Sequence, residues 1–227
     1  MREESHNVSA VAHYYTLPDT PYDLWVRGEL ADVLHLPDDG TRVEVIGGEI
    51  VVSPGPTVGH NGIVQDIADS LVEARIADPT FRWRCVQVTD LNLRDIRDGY
   101  IPDLIILDVD MQDEARKADA RHLLATQVDL VVEVTSRSNA ACDRQPGPRR
   151  GGATKWSGYA QTGIPNYLLV DRDPRAAQTL FFSNPDRGSG MYRHLQSWEF
   201  GETIRLPDPF GFAIPTDKWD PWDEVPR

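Results

Sequence analysis

The chain of 227 residues is 40% hydrophobic and 26% charged, the balance of a globular protein with one large domain, and no apolar stretch approaches the ~20 residues that span a bilayer. A formal charge of −13 excludes binding of nucleic acid by bulk electrostatics, because phosphate contacts need Lys and Arg, and leaves open a local basic cleft. Two cysteines, Cys85 and Cys142, with no CxxC pair, indicate neither a disulfide framework nor a structural zinc site, so reduced thiols are expected. The N-terminus has no apolar core of signal-peptide length, which predicts a cytoplasmic protein.

In chain order, residues 1–40 are a Pro/Asp-rich N-terminal arm with a short helix expected around Tyr22 to Val33. TRVEVIGGEIVVSPGP alternates, turns at Gly47-Gly48 and alternates again, the pattern of a β-hairpin ended by Pro54 and Pro56. HNGIVQDIADSLVEARIA, from His60 to Ala77, places Ile63, Val64, Ile67, Leu71, Val72 and Ile76 on one face of an amphipathic helix. FRWRCVQVTDLNL alternates like a strand, a turn is expected at Asp98-Gly99, and YIPDLIILDVD reads as a strand buried on both faces. MQDEARKADARHLLATQ is a loop or short helix, and VDLVVEVTS is another buried strand. TKWSGYAQTG is a short helix with Trp156, Tyr159 and Ala160 on one face, stopped by Gly163 and Pro165. NYLLVDRD gives a further strand, antiparallel strands run from about Thr179 to Pro207, and a Pro/Trp-rich tail follows. The whole predicts an α/β (α+β) fold: a mixed sheet flanked by helices, with an N-terminal β-hairpin, C-terminal antiparallel strands, a single domain over 41–216 and a tail over 217–227.

Two acids interrupt the most apolar strands, Asp103 before LIILD and Glu133 within LVVEV. A buried carboxylate shifts its pKa, finds a partner or binds a metal. If the two strands are neighbours, side-chain alternation projects both acids to one face near one strand end. A divalent cation then removes their repulsion, and hard oxygen ligands suit Mg²⁺, with Mn²⁺ as substitute. Lys155 begins the helix after the Glu133 strand and is the only lysine between Lys117 and Lys218; a lysine serves as general base or charge stabiliser. The competing readings are a strand-end Asp bonded to backbone amides, a buried Glu133–Arg ion pair and a surface lysine. Between Arg137 and Lys155, five basic residues (Arg137, Arg144, Arg149, Arg150 and Lys155) face the single acid Asp143, which reads as a phosphate-binding loop or a solvated one. GPRRGGATK fails the phosphate-loop spacing, and HExxH, HxH and GxSxG are absent, so nucleotide, zinc-peptidase and serine-hydrolase sites find no support.

Pro102-Asp103, then Glu133-Val134-Thr135, then Lys155 in TKWSGYAQTGIPNYLLVD, together with VEVIGGEIVVSPGP, GHNGIV and FGFAIPT, resemble the Uma-type "putative restriction endonuclease" family, a branch of the PD-(D/E)XK nuclease superfamily. The resemblance runs from about Thr41 to Thr216 and implies a restriction-endonuclease-like core. It implies a metal-dependent endonuclease acting on DNA, with Asp103 and Glu133 on Mg²⁺ and Lys155 as the catalytic cation. The superfamily lysine normally follows the glutamate by two residues, where Thr135 stands here; in this branch it has moved to the next helix. A further acidic position is implied at Glu44, with Glu49 as rival, and a family histidine matches His60, whose plain alternative is a packing or capping residue. Arg137, Arg144, Arg149 and Arg150 would contact nucleic acid, and a homodimer would cut two strands. The rival function is a catalytically silent binding or regulatory module, and a third reading is a nuclease for nucleotides or RNA.

Overall fold

LIILD, LVVEV and NYLLVD are rich in aliphatic and β-branched side chains, which suit a pleated surface packed on both faces. They form β6 (Leu104–Asp108), β8 (Leu130–Val134) and β9 (Asn166–Asp171) at the centre of the fold. The computed structural model describes residues 17–147 and 152–223. With β3 (Trp83–Gln87), β10 (Gln178–Asp186) and β11 (Met191–Glu199), the central strands make a six-stranded sheet in the order β11-β10-β9-β8-β6-β3. Within it β8 and β9 are parallel, which requires a crossover; that connection carries α5 (Ala140–Asp143) and α6 (Lys155–Thr162). The other pairings of this sheet are antiparallel, so the sheet is mixed.

α3 (Val58–Ala77) covers one face of this sheet through Ile63, Val64, Ile67 and Leu71, joined by a ribbon of β12 (Ile204–Arg205) and β13 (Ala213–Ile214). Val72 and Ile76, placed on the apolar face by periodicity, are exposed instead; Leu71 and Ala74 continue the face that packs on the sheet. The opposite face packs against α6 and a second sheet. That sheet consists of β1 (Arg42–Ile46), β2 (Glu49–Ser53), β4 (Asp90–Leu93), β5 (Asp98–Tyr100) and β7 (His122–Leu124), in the order β2-β1-β5-β4-β7. MQDEARK belongs to a helix, α4 (Val109–Lys117), capped by the Asp108 side chain.

The hairpin turns at Gly47 and Gly48, both at positive φ, as the sequence predicts. Asp98-Gly99 is not a turn. It lies in β5, and the chain reverses before it, at Arg97 with φ of 55°. The Asp98 carboxylate instead accepts Gly47 N–H at 2.7 Å, Gly48 N–H at 3.0 Å and the Tyr100 hydroxyl at 2.8 Å, holding the other turn in place. Gly99 is required by a close approach: a Cβ there would sit 2.2 Å from the Trp25 ring.

That tryptophan belongs to the segment the sequence sets apart as an arm. α1 (Pro21–Arg27) and α2 (Leu30–Val33) bury Tyr22, Leu24, Trp25 and Leu30 against Val43 and Val45, and the Trp25 indole donates to the Val43 carbonyl at 3.1 Å. The described part of the arm is thus integral to the domain. The tail is too, since Trp219 is buried in the α3-side core. No helix of the described residues is long and apolar enough to cross a membrane.

Candidate active site

Register brings the two strand acids together. Leu104 pairs with Val132 across β6 and β8, so Asp103 stands opposite Glu133 at the next step. Directly opposed residues share a face. The Asp103 carboxylate is fixed by the Val134 N–H at 2.9 Å, by Arg42 Nη1 at 2.9 Å, and by a close approach of His60 Nε2 at 3.0 Å that lacks hydrogen-bond alignment. Burial alone would raise its pKa, but His60, the Val134 amide and Lys155 hold it below the usual carboxylate range.

Glu44 enters from β1, the neighbouring sheet, and accepts the Ile101 N–H at 2.7 Å. It is 2% exposed, whereas its rival Glu49, on the same face opposite Ile46, is exposed beside the turn; position along the hairpin, not the pleat, separates them. Lys155 completes the cluster. Thr154 caps α6 by accepting the Ser157 N–H, and the helix then starts with Lys155, whose Nζ lies 2.8 Å from Glu44 Oε1 and 3.0 Å from Glu133 Oε1. At 3% exposure this cation is enclosed. Burial by itself would lower its pKa; Glu133, Glu44 and Asp143 outweigh that and hold it well above the ordinary lysine value, the direction that favours the charged ammonium.

Three participants escaped the sequence reading. Asp143, at the end of α5, is 2% exposed, with Oδ1 3.9 Å from Lys155 Nζ and no hydrogen bond to that oxygen. Burial, with Glu44 and Asp103 adding to it, pushes its pKa up to about 7. No residue type around it signals this role. Tyr159 donates its hydroxyl to Glu133 Oε1 at 2.5 Å; it lies one helical turn after Lys155, a spacing from which its position is legible. Arg42 lies two residues before Glu44, on the same face of β1. Burial also raises the Glu133 pKa well above the usual range, with Asp143, Asp103 and Glu44 adding to the effect and Lys155 opposing it. Lys155 and Tyr159 both bond Oε1.

The acids and Lys155 floor a cleft of about 960 Å³ whose rim includes Arg137 and Arg172. Beneath them Tyr100, Tyr159 and Tyr167 pack ring to ring with centroids 5.4 and 5.2 Å apart. This floor is tight: a Cβ at Gly158 would lie 2.2 Å from the Tyr100 hydroxyl. Alanine in a helix normally gains up to about 1 kcal/mol over glycine. Gly158→Ala is instead expected to lose about 1–3 kcal/mol by overpacking, read from the urea midpoint.

Two predicted residues stand elsewhere. Arg144 does not line the cleft: its guanidinium bonds both oxygens of Asp171, at 2.7 and 2.6 Å, and Asp173 at 3.1 Å, an ion pair that ties the connection to the end of β9. Thr135, buried two residues after Glu133, accepts the Arg172 N–H at 2.9 Å and is not among the residues lining the cleft. Arg149 and Arg150 lie outside the described residues.

A model of the family described as "Uma2: Putative restriction endonuclease" matches residues 30–217. No curated protein matches the chain. Among solved structures, the crystal structure of a "putative nuclease belonging to DUF820" from Anabaena variabilis aligns over 77% of this chain and 86% of that one, at 15% identity and a TM-score of 0.53. At that identity the likeness is one of fold. The family match runs through every residue of the buried cluster, from Arg42 to Lys155, and on this span the chain belongs to the Uma2 family.

Proposed function

We propose that this chain is a metal-dependent endonuclease that hydrolyses phosphodiester bonds in DNA, with Mg²⁺ as cofactor and Mn²⁺ as substitute. One observation carries the reading: four buried carboxylates, Glu44, Asp103, Glu133 and Asp143, face two cations, Lys155 and Arg42. Buried excess negative charge is compensated by protons or by a bound cation. The donors fit a divalent ion. They are hard oxygens, and Glu44 and Glu133 each keep Oε2 clear of hydrogen bonds among the described residues. Among the described residues no group of three His, Cys, Asp or Glu side chains is placed to hold a metal ion, so the ion would rest on one or two carboxylates and its own waters, as Mg²⁺ can. Asp103 and Glu133 would hold it, with Glu44 completing or orienting the site. When bound, such an ion polarises a phosphate and lowers the pKa of water.

The chain's own groups supply the rest. Lys155, as an ammonium, places positive charge where a phosphoryl oxygen gains negative charge. Tyr159 and Lys155 pin Glu133 Oε1, leaving Oε2 toward the cleft. Arg42 and the Val134 amide fix the Asp103 carboxylate. Arg137, on the rim, meets the phosphate backbone. Calorimetric titration with Mg²⁺ and Mn²⁺ is expected to show binding to the wild type that weakens at least about tenfold, or 1.4 kcal/mol, in Asp103→Asn and Glu133→Gln, with loss of duplex cleavage. Glutamine keeps the bonds to Tyr159 and Lys155, so the fold survives the test. A wild type that binds no metal, with or without duplex, would select the other reading, a silent nuclease-fold binding module. That reading is favoured by the saturation of Lys155 by its own carboxylates.

A further inference from the structure

Two rim arginines take no part in the cluster, and the chain's own C-terminal tail covers both. Arg172, half-buried directly after β9, donates from Nε to the Asp220 carbonyl at 3.1 Å, and its own carbonyl accepts the Trp222 N–H at 3.0 Å. Its Nη2 lies so close to Gly59 that a Cβ there would sit at 3.3 Å. Arg137 donates to the Asp223 carbonyl. The tail is anchored by Trp219, whose indole donates to Asp66 Oδ2 at 3.0 Å and whose ring packs edge-on against Phe200. From that anchor KWDPWD lies along the cleft.

Two features of this contact point to a ligand. Arg144, with a structural task, is satisfied by carboxylates, whereas among the described residues the partners of Arg137 and Arg172 are neutral carbonyl oxygens. A guanidinium fork matches an anionic pair of oxygens far better, a phosphate above all. The covering segment also alternates indole rings with acids, the two chemistries of a nucleic-acid strand, flat bases and anionic links. Asp220 and Asp223 are near enough to act electrostatically on Arg172.

We propose that Arg172 and Arg137 form the phosphodiester-binding edge of the cleft, and that residues Asp220 to Asp223 occupy this edge as a tethered competitor that a nucleic-acid strand displaces. This rests on the nuclease reading and adds to it a binding site and its cover. The test uses the full chain with EDTA, so that binding is read without cleavage, and a short fluorescein-labelled DNA duplex followed by anisotropy. Trp222→Pro, which removes the amide that bonds the Arg172 carbonyl, combined with Asp220→Asn and Asp223→Asn, which remove the acids acting on Arg172, and with the Trp219 anchor kept, is expected to tighten binding about tenfold. That is the gain when a competent state rises from a tenth of the population to nearly all of it. Arg172→Gln is expected to remove the gain and to lower the salt slope by about one counterion. Hydrogen exchange on the wild type is expected to show the Trp222 amide losing protection when duplex is added, a readout independent of variant folding. Unchanged affinity in the triple variant, with the Trp222 amide still protected in a wild-type complex that binds and cleaves duplex, would overturn the inference and leave the nuclease reading standing. Failure of both chains to bind, with no cleavage by wild type in Mg²⁺, would overturn both.

Discussion

Lys155→Met is expected to destabilise the folded chain by about 3–5 kcal/mol, the range for removing one partner of a buried ion pair, and to abolish duplex cleavage. Methionine fills nearly the same volume, so the loss reads charge and not packing. Without Nζ, Glu44 and Glu133 lose the cation that lies within 3.0 Å of both, and Asp143 loses its nearest positive charge. The stranded acids then take up protons, so the deficit is smaller at about pH 5 than at about pH 8. Adding Glu133→Gln to the same chain removes one stranded charge and is expected to recover about 1–3 kcal/mol, measured by urea denaturation of the four members of the cycle. A loss below about 1 kcal/mol, typical of an exposed pair, would show that Nζ reaches solvent and that the cluster does not hold together.

The second large effect has the opposite sign. Asp143→Asn is expected to stabilise the protein at and above neutral pH and to leave it nearly unchanged in acid. The folded-state pKa of Asp143 is raised to about 7, so between the unfolded value near 3.8 and about 7 the native chain holds a proton that the unfolded chain has released. Stability of the wild type therefore falls as pH rises through that window, and the whole penalty is present above it. Asparagine has the same shape and no charge, and it escapes the penalty. At 1.36 kcal/mol per unit the shift corresponds to about 4 kcal/mol, an upper bound because neighbouring side chains and water relax around the charge. Melting temperatures of both proteins, followed from acid to neutral, should diverge across the window; parallel curves would mean that Asp143 titrates normally.

Asp103 and Glu133 were legible because they break a pattern. In LVVEV and before LIILD a carboxylate stands where every neighbour is aliphatic, and strand alternation alone gives it a face. The partner of that pattern, Lys155, was legible as an isolated lysine and through the family resemblance. Asp143 was not, because a short acid-ended helix says nothing until the crossover folds it onto Lys155. Arg144 misleads for a related reason: its ion pair with Asp171 joins positions 27 apart, and one arginine of a basic run becomes a strut in three dimensions. Asp98-Gly99 has the composition of a turn, yet the glycine serves the Trp25 ring and the aspartate serves the hairpin. Local residue preference loses there to a contact with a segment far away in the chain.

The parallel pairing of β8 with β9 has a consequence for the chain while it is being made. Glu44, Asp103 and Glu133 leave the ribosome before Lys155, and β9, which closes one side of the Glu133 strand, follows later still. Contacts so distant in sequence form late, because the loops between them must close first. A growing polypeptide thus carries scattered acids but no assembled centre until most of its length has been translated. For the nuclease proposed above, the order of synthesis withholds the blade until the handle is finished.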